Sequence, residues 1–182
     1  EFNNNHFYAF HYKGISLEKM GLYEEAILCF ARSITLKKEF KDPYIYLGKI
    51  FKTQKKYDSA IEILEKALVN LKDLESVYVN LSSIYIEINN NSFKADYSKA
   101  ISYSKKALSY NEDNFYALNN LAICLFQELK INEAIKAYER VIKINPEFAE
   151  AYRNLGILYN YAGDYKKSEL NYLLVYRFVG GI

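Results

Sequence analysis

Apolar residues recur at helical spacing through the stretch from Phe115 to Phe148. Two sets carry the pattern: Leu118, Leu121, Ala122 and Leu125 in the first half, and Ala134, Tyr138, Val141 and Ile142 in the second. Each set steps by three or four residues, so its members share one face of a helix. Pro146 follows the second set and ends that helix, because proline lacks a backbone donor. The pattern therefore predicts a hairpin of two helices whose apolar faces pack together.

The same pattern returns along the whole chain, which predicts an array of five similar hairpins. The repeats span residues 7–40, 41–74, 75–114, 115–148 and 149–182, after a polar lead-in at residues 1–6. The third repeat holds six additional residues within 89–96, in the turn between its two helices. An insertion there leaves both packing faces intact. Two interpretations of this insertion stay open: it is either a tolerated surface insertion, or a contact with a partner through Phe93, an aromatic residue in a polar loop.

Small residues occupy equivalent sites in successive repeats. The eighth position of the first helix carries Gly14, Gly48, Ser82, Ala122 and Gly156, and one site of the second helix carries Ala26, Ala60, Ala100, Ala134 and Ser168. A small side chain lets two helix backbones approach closely, while larger neighbours fill the remaining space. We therefore expect the helices of the array to cross at these sites.

The repeated unit resembles the tetratricopeptide repeat. That family shows a large residue, Leu-Gly, a Tyr, a later Ala, a Phe and a terminal Pro, at a period of about 34 residues. Here Leu155-Gly156 and Tyr159 match the first part, and Ala134 and Pro146 match the second. The resemblance implies an all-α fold, a right-handed α-α superhelix of antiparallel helix pairs, with the first helices on the concave side.

Charge and composition narrow the partners that we expect. The net charge is only +2 over 182 residues, which does not favour binding to nucleic acid. The longest apolar run, Leu121 to Phe126, is too short to cross a bilayer. Cys29 and Cys124 cannot form a disulfide framework, which favours a cytoplasmic location. Because the chain begins with Glu1 rather than Met, we expect it to be a piece of a longer protein.

The sequence carries no catalytic motif that we can identify. Its two histidines, His6 and His11, lie near the start, and neither cysteine has a partner at zinc-binding spacing. It also lacks a glycine-rich phosphate loop and a GxSxG motif. We therefore predict no enzyme activity, no metal and no cofactor.

The resemblance also implies a binding groove lined by first-helix positions two, five, six, nine, twelve and thirteen. In this chain the groove residues are Tyr8, His11, Tyr12, Tyr46, Lys49, Asn80, Ser83, Tyr116, Asn119, Asn120, Ile123, Phe126, Arg153, Asn154, Ile157 and Tyr161. The packing pattern requires none of them, yet many are aromatic or aliphatic. Such a mixture suits an extended peptide or an amphipathic helix of a partner protein.

Asn80, Asn120 and Asn154 share the sixth position, so the resemblance places them in one row. A carboxamide both donates and accepts hydrogen bonds, which matches the backbone of an extended peptide. The row is similar to the asparagine ladder of the O-linked N-acetylglucosamine transferase repeats, although Asn before Leu is also common in the family. Chaperone-binding members use a dicarboxylate clamp, and no three consecutive repeats here supply it. Chaperone tails are therefore not expected as ligands.

The last helix is apolar over much of its surface, through Leu170, Leu173, Leu174 and Phe178. A solenoid needs a polar cap at its end. We expect either that the natural chain continues, or that this helix mediates self-association.

Together these patterns predict a non-catalytic scaffold that binds a peptide or a segment of a partner protein in its groove. Two alternatives stay open. The chain could be the substrate-recruiting region of a larger enzyme, or an adaptor subunit of a secretion or envelope assembly. The fold alone does not decide among these functions.

Overall fold

The structure is a computed structural model that describes residues 6–92 and 95–179. That part of the chain forms ten α-helices and no strand. They are α1 (His6–Lys19), α2 (Tyr23–Leu36), α3 (Lys41–Thr53), α4 (Tyr57–Asn70), α5 (Glu75–Asn90), α6 (Ser98–Tyr110), α7 (Phe115–Gln127), α8 (Ile131–Ile144), α9 (Ala149–Tyr161) and α10 (Tyr165–Val179). The all-α prediction is confirmed.

Each of the five proposed repeats contains one consecutive pair of helices, and the division into five repeats stays our proposal. Two details differ from the expectation. The first helix begins at His6, a residue that the sequence had placed in the lead-in. The fifth helix has 16 residues, whereas α3, α7 and α9 each have 13, so part of the inserted segment lengthens α5. Phe93 lies outside the described residues.

In four of the five helix pairs, the turn after the first helix uses a residue with a left-handed backbone conformation. Gly21 and Gly163 have φ of 77° and 78°, and Lys55 and Leu129 adopt nearly the same conformation at 58° and 59°. At the last turn, the Gly163 backbone N–H donates to the Asn160 oxygen at 3.1 Å. This bond satisfies a carbonyl of the final helical turn, as expected for a helix that ends in a left-handed residue. Glycine adopts this conformation without steric cost, whereas a Cβ adds roughly 1–2 kcal/mol.

The small residues lie where neighbouring helices approach, as the sequence predicted. A Cβ added to Gly14 would lie 2.8 Å from the ring of Phe30, and one added to Gly156 would lie 2.8 Å from the ring of Tyr172. In the second helices, the side chain of Ala134 is fully buried. A methyl group at either glycine would displace an aromatic ring that fills the space between the helices.

The chain divides into two compact units, Glu1–Ile84 and Tyr85–Ile182, and each is described by itself. Unit 1 has a core that includes Ala26 and Phe30 of α2 together with Leu47 and Ile50 of α3. The larger core of unit 2 is built from α7, α8 and α9, and its buried members are Leu118, Ala122, Ala134, Tyr138, Val141, Ala151, Leu155, Leu158 and Tyr159. In each unit, packing into the core occupies one side of the first helices, and the opposite side is available to bind a partner.

Candidate functional site

The predicted groove residues lie on the first helices of the pairs, which are α1, α3 and the start of α5 in unit 1, and α7 and α9 in unit 2. We call the side that these residues form in each unit its first-helix face. Ring contacts join neighbouring first helices on this face in both units. The ring centroids of His11 in α1 and Tyr46 in α3 lie 5.6 Å apart, and those of Phe126 in α7 and Tyr161 in α9 lie 5.4 Å apart.

Unit 1 presents two exposed tyrosines at the start of its first-helix face. Tyr8 and Tyr12 are 42% and 62% exposed, and their rings stack with centroids 6.4 Å apart. The ring of Phe40 meets Tyr8 edge-on at 5.1 Å. Because Phe40 already restricts the Tyr8 ring, a partner that binds Tyr8 would cost little additional side-chain entropy.

His11 is buried rather than available at the surface of the face. It is 4% exposed, and its ring lies 4.9 Å from Phe40 and 5.7 Å from Phe30. Its Nδ1 atom has no hydrogen-bond partner among the described residues. Burial lowers the pKa of His11 below its ordinary value, and the nearby Asp42 carboxylate partly opposes this effect. A neutral imidazole inside an aromatic cluster is therefore the resting state.

The remaining unit 1 positions are polar, and several already have partners. The Lys49 side chain is exposed, with Nζ 5.9 Å from the centroid of the Tyr46 ring. Ser83 accepts a hydrogen bond from Lys52 Nζ at 2.9 Å. The side-chain amide of Asn80 donates to the Ser76 backbone oxygen at 2.8 Å, within its own helix. Lys49 is therefore the exposed cation of this face.

Unit 2 repeats the aromatic arrangement of unit 1. Phe115 and Tyr116 lie 4.1 Å apart with an interplanar angle of 33°, and Phe7 and Tyr8 lie 4.1 Å apart at 34°. Phe148 meets Phe115 edge-on at 5.4 Å, as Phe40 meets Phe7 at 5.1 Å. Tyr116 is 55% exposed. Each unit therefore starts its first-helix face with an exposed tyrosine that neighbouring rings hold in place.

The predicted groove residues did not include the phenylalanine that completes each of these clusters. Phe40 and Phe148 end the first and fourth proposed repeats, and those same two repeats begin with the pairs Phe7-Tyr8 and Phe115-Tyr116. That coincidence is a signal in the sequence that could have identified the clusters.

The asparagines of unit 2 are less available than the predicted row requires. Asn119 and Asn120 are buried, and Asn119 Oδ1 has no hydrogen-bond partner among the described residues. Asn154 is half-buried, and its side-chain amide donates to the hydroxyl of Tyr138 at 2.9 Å. One donor of Asn154 is therefore used by the core, whereas its oxygen is left to accept a further hydrogen bond.

The other unit 2 positions form an apolar surface with one cation. Ile123, Phe126 and Ile157 are half-buried. Tyr161 is 69% exposed, and its ring forms an edge-to-face pair with the ring of Phe126, with centroids 5.4 Å apart. Arg153 is exposed. This face can contact an apolar side chain and donate hydrogen bonds to a carbonyl or carboxylate group.

The predicted apolar set of the last helix divides into two groups. Leu170 and Leu173 are 56% and 62% exposed. Leu174 is half-buried, and Phe178 packs against Tyr152 with ring centroids 5.3 Å apart. Only the first two leucines are therefore well placed for an intermolecular contact.

Reactive chemistry is sparse in the part of the chain that the structure describes. No group of three or more His, Cys, Asp or Glu side chains in those residues could hold a metal ion. Cys29 and Cys124 are free thiols and both are buried. Burial raises the pKa of the Cys124 thiol to about 12, which leaves it protonated and unreactive at neutral pH. None of the helices described is both long and apolar enough to cross a membrane.

Comparison with protein families finds repeat models in three places. The model described as "TPR repeat" matches residues 125–160, and the model described as "Tetratricopeptide repeat" matches residues 9–40 and 42–68. Together these ranges cover more than half of the chain.

Related proteins and a solved structure extend this result. The uncharacterized protein ycf37 of Cyanophora paradoxa is 31% identical over 149 residues, which is 79% of this chain and 83% of that protein. The Hsp70-Hsp90 organizing protein of Triticum aestivum is 25% identical over 185 residues, 85% of this chain and 32% of that protein. The solved structure of pilF from Pseudomonas aeruginosa superposes with a TM-score of 0.83 over 97% of this chain and 78% of that one, at 18% identity. The chain spans only 15% to 32% of the length of the first three relatives that it matches.

Proposed function

The chain belongs to the tetratricopeptide repeat family, and on that basis we propose that its first-helix faces bind a peptide or an extended segment of a partner protein. A scaffold for protein interactions is the function that such repeats support. One observation carries the more specific proposal. Tyr161 is 69% exposed, yet the contact with Phe126 already orders its ring.

An exposed but ordered tyrosine is well suited to recognition. A tyrosine ring offers a large amphipathic surface with only two side-chain torsions, so little entropy is lost when a partner covers it. Tyrosine and arginine are also enriched among the residues that dominate binding energies. Tyr116, Arg153 and Tyr161 are all exposed on the first-helix face of unit 2.

The chemistry of this face indicates the kind of ligand. Ile123 and Ile157 supply apolar surface, and Arg153 supplies a cation that can donate two hydrogen bonds. We expect a segment with an apolar or aromatic side chain near a backbone carbonyl or an acidic group. In unit 1, the tyrosines Tyr8 and Tyr12 with the nearby Lys49 would accept a similar segment.

The wheat relative is named for two chaperones, which supports a protein as the partner. This chain lacks the clamp residues that the chaperone-binding members use for a C-terminal carboxylate, so we still expect a different ligand. The chain spans only part of the length of its relatives. Our proposal therefore concerns peptide binding by this chain and not the activity of a longer protein. The two buried free thiols are compatible with the cytoplasmic location that we favour.

The test is a peptide selection followed by a matched set of variants. Random peptides displayed on phage would be selected on the immobilised chain, and the recovered peptides would be synthesised with a fluorophore. Their affinities would be measured by fluorescence anisotropy for the wild type, Tyr161→Ala and Arg153→Ala. Lys136→Ala is the control, because Lys136 is exposed on α8, a second helix.

The proposal predicts that Tyr161→Ala weakens binding by about tenfold or more, equivalent to about 1.4 kcal/mol. Arg153→Ala should weaken peptides that carry an acidic residue. Lys136→Ala should leave every affinity unchanged. Peptides that bind both site variants as tightly as the wild type, but lose affinity for Lys136→Ala, would place recognition on the second helices and refute the proposal.

A further inference from the structure

One aromatic cluster occurs twice in the chain, with the same residues and nearly the same geometry. Phe-Tyr-Ala lies in the first turn of α1 at residues 7–9 and in the first turn of α7 at residues 115–117. The tyrosine ring meets a phenylalanine edge-on in both places, Tyr8 with Phe40 at 5.1 Å and Tyr116 with Phe148 at 6.4 Å. The same two opening positions of the other three repeats hold Lys41-Asp42, Glu75-Ser76 and Ala149-Glu150. The repeat therefore folds without this cluster, and packing alone does not require it.

The exposure of these tyrosines does not depend on α1 being the first helix that the structure describes. Tyr116 lies on α7, which packs against α6 and α8, and it is still 55% exposed. Tyr8 on α1 is 42% exposed. The position therefore stays open when helices pack on both sides of it.

Each tyrosine has an acidic residue beside it on the next first helix. Asp42 and Glu150 are each the second residue of a repeat, as Tyr8 and Tyr116 are. The ring contacts between first helices join residue five of one repeat to residue six of the next in unit 1, and residue twelve to residue thirteen in unit 2. Neighbouring first helices thus lie almost in register, which places Asp42 next to Tyr8 and Glu150 next to Tyr116.

The two carboxylates are free to bind a ligand. Asp42 and Glu150 are exposed, and neither forms an ion pair within the described residues. We call Tyr8 with Asp42, and Tyr116 with Glu150, the tyrosine subsites. Each subsite lies within one unit and offers an aromatic ring next to an unpaired negative charge.

This combination is suited to a cationic side chain. A guanidinium group can stack on a tyrosine ring while it donates two hydrogen bonds to a carboxylate. Unit 1 contains an internal example of the first contact, because Nζ of Lys37 lies 4.5 Å from the centroid of the Phe7 ring. That lysine covers the inner ring of the cluster, while Tyr8 remains exposed.

We propose that each tyrosine subsite binds an arginine side chain of a partner segment, so that one chain takes two such arginines. This inference rests on the proposed function, because both subsites lie on the first-helix faces, and it adds the charge of the ligand. On α9, Glu150 lies one turn before the exposed Arg153. A segment on unit 2 would therefore place an arginine at Glu150 and an acidic group at Arg153.

The experiment is an NMR titration of the full 182-residue chain labelled with nitrogen-15. The probe is a capped alanine-arginine-alanine peptide, and its control contains citrulline, which has nearly the shape of arginine but no charge. We expect saturable shifts at the backbone amides of Tyr8 and Tyr116 with the arginine peptide. The citrulline peptide should bind about fivefold more weakly or less, because the cation–π contact and the ion pair are both lost.

One variant in each unit separates the two subsites. Glu150→Gln should weaken binding at Tyr116 by about fivefold and leave binding at Tyr8 unchanged, whereas Asp42→Asn should do the reverse. In each variant the unchanged subsite reports that the protein is folded. Glu65→Gln removes an exposed carboxylate from α4, a second helix, and should change neither affinity.

Three results would overturn the inference: no shift at either tyrosine, equal affinities for the arginine and citrulline peptides, or an affinity that neither Glu150→Gln nor Asp42→Asn reduces. The capped peptides are independent of the phage-selected ones. If the arginine peptide does not bind while the selected peptides still lose affinity for Tyr161→Ala, the arginine subsites are refuted and the proposed function stands.

Discussion

The hydrogen bond between Asn154 and Tyr138 gives the most quantitative prediction for unit 2. Tyr138 is 1% exposed, and its hydroxyl accepts a hydrogen bond from the Asn154 side-chain amide at 2.9 Å. Burial, together with the charge of Glu150, raises the pKa of this hydroxyl, so it stays neutral at all ordinary pH values. Asn154 is also a predicted groove residue, so its loss would affect both stability and binding.

Removing each partner should have a different cost. Asn154→Ala leaves a buried hydroxyl without its partner, which costs about 1–3 kcal/mol in the free energy of unfolding. Tyr138→Phe removes the hydroxyl and leaves the half-buried Asn154 able to bond to water, so we expect a cost nearer 0.5–1.5 kcal/mol. Once Tyr138 is phenylalanine, Asn154→Ala should cost much less than it does in the wild type.

The assay is a double-mutant cycle, with unfolding in urea followed by circular dichroism for all four proteins. The expected coupling energy is about 0.5–1.5 kcal/mol in favour of the pair. Effects that add to within about 0.3 kcal/mol would show that the two side chains do not interact. In that case Asn154 would be free for a ligand, as the asparagine row requires, and the structural role that we assign to it would be wrong.

Two further predictions concern the turn before α8 and the aromatic cluster of unit 1. Leu129→Gly should raise the free energy of unfolding by about 0.5–1 kcal/mol. Leu129 is 74% exposed and holds a φ of 59°, a conformation that glycine adopts without strain. A lower melting temperature of the variant in calorimetry would contradict this prediction. Burial lowers the pKa of His11, so the unfolded chain binds its proton more readily and stability should decrease as the pH falls through the ordinary value of 6.5 towards the lower pKa of the folded state. His11→Phe should reduce that decrease in urea titrations at several pH values, and an unchanged pH dependence would exclude His11 as its source.

The sequence was sufficient for those features that depend on local spacing and side-chain volume. Helical periodicity predicted the hairpins, and the small side chains predicted the close approach of helices at Gly14 and Gly156. Both follow from the geometry of one helix against its neighbour, so a single repeat contains the information.

The features that the sequence did not predict depend on residues brought together from separate helices. His11 is buried because Phe30, Phe40 and Tyr46 surround it, and no pattern within α1 indicates those neighbours. Asn154 was expected to face a ligand, but Tyr138 of α8 takes one of its donors.

The left-handed conformation of Leu129 could not be predicted from that residue alone, because leucine does not favour it. The available sign of that conformation was the glycine at the equivalent position of two other repeats, Gly21 in the first and Gly163 in the fifth.

Isoleucine-methyl NMR would show most directly whether a ligand segment lies on a first-helix face. A peptide from the phage selection would be titrated into protein labelled at its isoleucine methyl groups. Ile123 and Ile157 report on the first-helix face of unit 2, and Ile135 and Ile142 report on the second helix α8. We expect saturable chemical-shift changes at Ile123 and Ile157, with much smaller changes at Ile135 and Ile142. Shifts confined to the α8 methyl groups, with Ile123 and Ile157 unchanged at saturation, would contradict it.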